Sequence, residues 1–206
     1  LPILTPAGSG GTVSVRSGGA SLKIEAGEKS ATIPLGNLTY RSSNNYWVDQ
    51  TWTYQMGAVF LSQEDGATVR VGPSIVVTKT GNGNVTLSVA PICLDGSSTV
   101  AGSGPVRVET RMRWSGPSSL DGTYDRVNLT VEAGDLATAR AWERAFVEVR
   151  QRARTEGVDS TLLPIERSGT TVTLSVQPEA DDKRVFLTVY PADYTVTIHN
   201  AASLVE

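Results

Sequence analysis

The sequence contains only one cysteine, Cys93, and one histidine, His199, in 206 residues. One cysteine excludes an intrachain disulfide and a cysteine-based zinc cluster. One histidine argues against Ser-His-Asp and Cys-His catalysis, in which a base must lie beside a nucleophile. The sequence also has no Gly-x-Ser-x-Gly elbow and no phosphate-binding loop. We therefore predict no catalytic residues, no metal, no cofactor and no enzymatic activity.

Long apolar runs are also missing. No segment approaches the roughly 20 apolar residues of a membrane-spanning helix. The first six residues, LPILTP, lack the basic region and apolar stretch of a signal peptide. The sequence does not begin with Met, and we expect that an upstream segment precedes it in the full protein. The net charge is only -3, so nothing favours a nucleic-acid partner.

The composition favours an extracellular all-β protein. Charged residues make up 19% of the chain, glycine occurs 20 times, and Ser, Thr and Val are frequent. Residues 1–11 are rich in Pro, Gly and Ser, which predicts a linker or the end of a truncated stalk. Residues 12–206 are expected to form a single β-rich ectodomain, with the region near 133 as the place where it would divide.

Short alternating segments separated by turn residues predict a mainly β fold, an antiparallel sandwich or meander. The last three segments, 170–177, 184–190 and 194–199, are expected to form a terminal meander. Residues 95–98 and 119–122 are interpreted as breaks. The predicted strands include 31–35, 38–41, 46–54, 57–62, 67–71, 74–79, 84–91, 105–114, 125–132 and 161–166.

One segment, near 135–155, has helical character instead. It contains no Gly or Pro, and Asp135 is placed to cap its N-terminus. Trp142, Phe146, Val149 and Ala153 recur at helical spacing and form one apolar stripe. We predict an amphipathic helix that ends before Gly157 and packs its Trp/Phe face on a sheet.

Aromatic residues concentrate in one region. The candidates for a ligand or interface surface are Tyr46, Trp47, Trp52 and Tyr54. Core packing explains such a cluster, and a sugar-stacking platform or a subunit interface is the alternative. Solvent exposure of these rings discriminates between the two.

Three Asn-x-Thr sequons, at Asn37, Asn84 and Asn128, are candidate N-glycosylation sites. Val127, Leu129 and Val131 are expected to face the core, which leaves Asn128 outside. Asn84 follows a Gly-Asn-Gly turn and is also expected to be exposed.

The remaining candidates for chemistry have structural explanations. Cys93 lies between Ile92 and Leu94, which predicts a small buried side chain, and His199 is expected at an exposed strand end. The carboxylate pairs Glu64-Asp65 and Asp181-Asp182 occur in turn-like contexts. Asp121 and Asp125 offer too few ligands to favour calcium.

Two phrases resemble a known family. The first is IPLGNLTYRSSNNYWVDQ at 33–50, continuing to GAVFL at 57–61, and the second is VNLTVE at 127–132, before a helix containing AWERAF at 141–146. Together they resemble archaeal secreted proteins with an N-terminal type IV pilin-like signal and hydrophobic helix. The resemblance spans most of 12–176. It implies surface anchoring through an upstream helix, partners among other pilin-like subunits or surface glycans, and no catalytic residues.

Three functions from different classes follow. The first is an extracellular, cell-surface pilin-like domain with a structural or adhesive role, anchored in the membrane in the full-length protein. The second is a carbohydrate-binding module of a surface protein, motivated by the aromatic cluster. The third is a surface enzyme acting on glycans or peptides, which would require two carboxylates facing each other across a cleft.

Overall fold

The structure is a computed structural model that describes residues 2–3, 10–43, 48–63, 66–102 and 104–200. Within those residues the chain forms nineteen strands and one α-helix. The prediction of a mainly β fold with one helix is confirmed. The elements are β1 (Pro2–Ile3), β2 (Gly10–Arg16), β3 (Ala20–Ala26), β4 (Lys29–Pro34), β5 (Asn37–Ser43), β6 (Gln50–Gln55), β7 (Ala58–Gln63), β8 (Gly66–Val71), β9 (Ile75–Lys79), β10 (Val85–Val89), β11 (Ile92–Asp95), β12 (Ser97–Gly102), β13 (Val106–Ser115), β14 (Gly122–Tyr124), β15 (Val127–Ala133), α1 (Leu136–Thr155), β16 (Ile165–Ser168), β17 (Thr171–Val176), β18 (Val185–Val189) and β19 (Ala192–Asn200).

The strands form four sheets. A six-stranded sheet has the order β12-β2-β5-β6-β7-β8, and a five-stranded sheet has the order β16-β17-β15-β3-β4. The two four-stranded sheets are β1-β13-β19-β11 and β14-β18-β10-β9. Pairing is antiparallel except for β10 with β18 and β11 with β19, which are parallel.

Two hydrophobic cores lie on opposite faces of the six-stranded sheet. The larger core includes residues from β3, β7, β10, β15, β17, β18 and α1. It extends from Leu22 to Val189 and so includes residues on both sides of position 133. The smaller core joins Val13 and Val15 of β2 to Val196 and Ile198 of β19. The six-stranded sheet therefore contributes to both cores.

The helix begins and ends as its sequence predicts. The Asp135 carboxylate accepts a hydrogen bond from the backbone N–H of Thr138, which caps the N-terminus. At the other end Gly157 adopts φ +83°, and the N–H of Val158 donates to the Ala153 carbonyl. Trp142 and the rest of the predicted apolar stripe are buried, because they pack against the larger core.

Several strand predictions are corrected. Ser97–Gly102 is a strand although the sequence predicts a break at 95–98, because only Gly96 leaves the sheets there. The break predicted at 119–122 is confirmed for 119–121, and β14 begins at Gly122. Ser160–Leu162 is a 3-10 turn, and the strand predicted at 161–166 begins only at Ile165. Of the strand predicted at 46–54, residues 46–47 lie outside the described residues, and β6 begins at Gln50.

The predicted terminal meander and the linker also change. The strands β17, β18 and β19 lie in three different sheets, so they do not form a meander. Each finds a partner distant in the sequence, as in the pairing of Val85 with Val185. In the predicted linker, Pro2–Ile3 pairs with β13, and β2 already begins at Gly10.

The first and last described strands meet at one end of β13. Val106 pairs with Ile3 on one side and with Asn200 on the other. We call this end, defined by Ile3, Val106 and Asn200, the terminal pole. The Arg16 end of β2 lies away from the terminal pole. Gly96 follows the Asp95–Thr195 pair, and a Cβ added at Gly96 would lie 2.5 Å from the Val196 carbonyl oxygen.

Candidate functional site

One face of the six-stranded sheet carries a polar groove of about 790 Å³. It exists because strand residues alternate between the two faces. In β2, Val13 and Val15 enter the smaller core, and Thr12, Ser14 and Arg16 line the groove.

Hydroxyl groups dominate the groove. The register aligns Thr99, Ser14, Thr39 and Thr53 in one row across β12, β2, β5 and β6. Neighbouring strands are about 4.8 Å apart, so these side chains form a regular hydrogen-bonding surface. The hydroxyl-bearing residues of the lining are Thr12, Ser14, Thr39, Thr51, Thr53, Ser62, Thr99 and Thr138.

The N-terminus of α1 closes one end of the groove. Gly134, Asp135, Ala137 and Thr138 belong to the lining. A Cβ added at Gly134 would lie 2.5 Å from the Gly19 carbonyl oxygen, so glycine permits the turn before α1 to contact the turn after β2. This backbone contact fixes where the helix meets the sheet.

A buried hydrogen bond fixes the helix to the groove wall. The Trp142 Nε1 donates to Oε1 of Gln55 at 2.6 Å, and Gln55 also belongs to the lining. Trp142 packs edge-on against Phe60, with ring centroids 5.6 Å apart. Since Phe60 continues the row of Thr39 and Thr53, the sheet face changes from hydroxyl-lined to apolar where the helix covers it.

The charged side chains that line the groove differ in whether they have a hydrogen-bond partner. Both Asp135 carboxylate oxygens accept hydrogen bonds from Thr138, one from its backbone N–H at 2.8 Å and one from its hydroxyl at 2.9 Å. Arg16 and Arg41 are exposed and have no ion pair or side-chain hydrogen bond with any residue that the structure describes. The groove therefore offers two free guanidinium groups.

Residues 9–194 match a family of unknown function, DUF7289. The chain belongs to this family. Comparisons with curated proteins and with solved structures find no match.

In this family member the two described residues of the predicted aromatic cluster, Trp52 and Tyr54, lie on β6. Tyr54 packs against the smaller core, and burial raises its pKa. Trp52 lies on the same sheet face, half-buried, and its Nε1 donates to Gln50 at 3.3 Å. Tyr46 and Trp47 lie outside the described residues. No aromatic residue is among those that line the groove.

The three sequon asparagines lie in different places. Asn37 lines the groove. Asn84 is half-buried rather than exposed, since its Oδ1 accepts a hydrogen bond from the Arg184 backbone N–H at 2.8 Å. Asn128 lies opposite the core face, as predicted, but it is half-buried on the central strand β15, and its Oδ1 is buried without a hydrogen-bond partner.

Cys93 is half-buried, whereas the sequence predicted a buried side chain. Burial and the neighbouring Asp193 carboxylate raise the pKa of its thiol to about 12. His199 is also half-buried, and its Nε2 lies 3.6 Å from Glu109 Oε2.

The predicted carboxylates do not come together. Glu64 and Asp65 lie outside the described residues, and Asp182 pairs with Lys183. Asp121 accepts a hydrogen bond from the Val189 N–H, and Asp125 pairs with Arg184. Among described residues, no group of three or more His, Cys, Asp or Glu side chains is placed to hold a metal ion. The helix in that same part of the chain is too polar to cross a membrane.

Sequence reasoning missed the groove, although one signal was present. Alternating polar residues occur at 12, 14 and 16, at 37, 39 and 41, and at 51, 53 and 55. Each triplet alone is typical of a solvated strand face. Only the pairing of the three strands shows that the triplets share one surface.

Proposed function

We propose that this chain is the extracellular domain of a cell-surface, type IV pilin-like protein with an adhesive role. The sequence resemblance at 33–50 and 127–132 supports the class. The observation that carries the adhesive role is the polar groove, which offers hydroxyl and guanidinium groups to a ligand on a rigid sheet.

The location of the groove supports this role. The Arg16 end of β2 lies beside Val196, which is four residues before Asn200 along β19. At about 3.4 Å per residue, Val196 and Asn200 are about 14 Å apart. An anchor joined to the chain at the terminal pole would leave the helix end of the groove facing away from the anchor.

A carbohydrate-binding module is the second candidate, and the hydroxyl row of Thr99, Ser14, Thr39 and Thr53 favours it. Sugar hydroxyls both donate and accept hydrogen bonds, as these side chains do. In this case the ligand contacts the groove, because Tyr54 is packed against the smaller core. The two candidate functions differ in how the chain is anchored to the cell, and both use the polar groove as the binding surface.

The test uses the gene that encodes this chain, in the organism that carries it. We expect an antibody against this domain to label intact cells, and deletion of the gene to reduce attachment to surfaces. A second strain carries the Arg16→Gln and Arg41→Gln substitutions, and we expect normal labelling with reduced attachment. Labelling only after cell lysis would contradict the proposed location. Normal attachment by both strains would contradict the adhesive role.

A further inference from the structure

The polar groove has a charge that differs from that of the whole chain. The sequence has a net charge of -3, but the charged residues of the lining are Arg16, Arg41 and Asp135. The carboxylate of Asp135 is engaged by the first turn of α1. Two guanidinium groups therefore face an otherwise neutral surface, and charge complementarity favours an anionic ligand.

The spacing of the two arginines defines the shape of that ligand. Arg16 lies opposite Asn37, and Arg41 lies four residues further along β5 on the same face. With about 3.4 Å per residue and about 4.8 Å between strands, their Cα atoms are about 14 Å apart. Thr39 and Ser14 lie between them. The ligand must therefore be extended, with anionic groups separated by hydroxyl-rich segments.

We propose that the polar groove binds an acidic glycan, a sugar chain that bears carboxylate groups. Its carboxylates pair with Arg16 and Arg41, whose planar guanidinium groups match carboxylate oxygens. Its hydroxyls bond with the row that includes Thr39 and Thr53. The lining contains no aromatic residue, so hydrogen bonds and charge carry the recognition. This proposal deepens the proposed adhesive function by naming its ligand class.

The test measures binding to the purified chain by calorimetry. The probes are oligogalacturonate fragments, their methyl esters of equal length, and polyglutamate. We expect binding of the free acid, weakening as salt rises because exposed charges are screened. We expect no measurable binding of the ester or of polyglutamate. Loss of one exposed ion pair typically weakens affinity up to about fivefold, so Arg16→Gln and Arg41→Gln should each show a loss of that order.

Two further variants make the experiment specific. Thr39→Val replaces one groove hydroxyl with a methyl group and should also weaken binding. Arg111→Gln removes an exposed charge from β13, outside the groove, and should leave affinity unchanged. All variants should keep the melting temperature of the parent, since the three arginines are exposed and valine suits a strand.

Four outcomes would overturn the proposal. The first is failure of the parent to bind the free acid. The second and third are an affinity for the methyl ester, or for polyglutamate, equal to that for the free acid. The fourth is a loss of affinity in Arg111→Gln equal to that in the groove variants. The ester result would indicate a neutral glycan, and the polyglutamate result an acidic peptide. None of these measurements depends on anchoring. A chain that binds the acid but proves intracellular would refute the proposed function and leave this inference intact.

Discussion

Trp142 donates a hydrogen bond from its indole nitrogen to the Gln55 side-chain oxygen at 2.6 Å, with both side chains buried. The bond joins the helix to the sheet that forms the polar groove. A buried polar group without a partner costs about 1–3 kcal/mol. The pair therefore couples the stability of helix packing to the position of the groove wall.

The first prediction concerns this pair. Trp142→Ala should lower the free energy of unfolding by about 3–5 kcal/mol, because it empties a large buried site. Trp142→Phe leaves Gln55 without its donor and should cost about 1–3 kcal/mol beyond the smaller ring. Chemical denaturation measures both. The double variant Trp142→Phe, Gln55→Leu should cost less than the sum of the single changes, since no polar group is orphaned. Additive costs would contradict the coupling.

The second prediction concerns Cys93. Its raised pKa, about 12, keeps the thiol protonated at pH 8, and only the thiolate reacts. Alkylation by iodoacetamide at pH 8 should be at least tenfold slower in the folded chain than in denaturant. Asp193→Asn removes the negative charge beside the thiol and should accelerate the reaction of the folded chain. Rapid alkylation of the folded parent would show that the thiol is accessible and ionised.

The third prediction concerns the turn between β6 and β7. Met56 and Gly57 both have positive φ, +51° and +79°, as a two-residue type I′ turn requires. A Cβ at Gly57 would also lie 2.3 Å from Ser74 Oγ. Gly57→Ala should therefore lower the free energy of unfolding by about 1 kcal/mol or more. Gly81→Ala, where a Cβ meets nothing within 4 Å and φ is not positive, is the matched control and should change stability little.

The fourth prediction concerns assembly. From Val108 to Ser115, β13 pairs on one side only, with β19, among the described residues. This edge carries the charged residues Glu109, Arg111 and Arg113, which oppose edge-to-edge pairing. We expect a monomer or a weak dimer in light scattering of the isolated chain.

Trp114 provides the control for assembly. It is 49% exposed, and Met112 on the same strand is 56% exposed, so these two residues are the apolar contacts that association through this edge would use. If the chain dimerises weakly, Trp114→Lys should abolish the dimer. Filaments formed by the isolated chain would contradict the prediction and place the assembly contacts in this domain.

Local features of the fold followed from the sequence, and long-range pairing did not. The cap at Asp135 and the spacing of Trp142 and Phe146 predicted the helix, because both signals lie within a few turns of chain. The parallel pairing of Val85 with Val185 joins residues about 100 positions apart, and no local pattern records it. The short strand after Gly96 was missed because Gly-Ser-Ser is typical of a turn.

The candidate site was less predictable for a related reason. The sequence pointed to Tyr46, Trp47, Trp52 and Tyr54, because large aromatic side chains are typical of ligand and interface surfaces. The groove is built from threonines and serines, which in any single strand indicate only a solvated face. Thr39 and Thr53 acquire a common role only through the register of β5 and β6.

The arrangement of β2 has a mechanical consequence. This strand begins at Gly10, near the start of the chain, and is held between β12 and β5, both antiparallel to it. A pull between the chain segment before Gly10 and a ligand in the groove would act along the strand. The backbone hydrogen bonds from β2 to β12 and to β5 would then bear the load together, in shear, rather than breaking one after another. Pulling β2 out of its sheet should therefore require a much larger force than peeling the short strand Pro2–Ile3 away from β13.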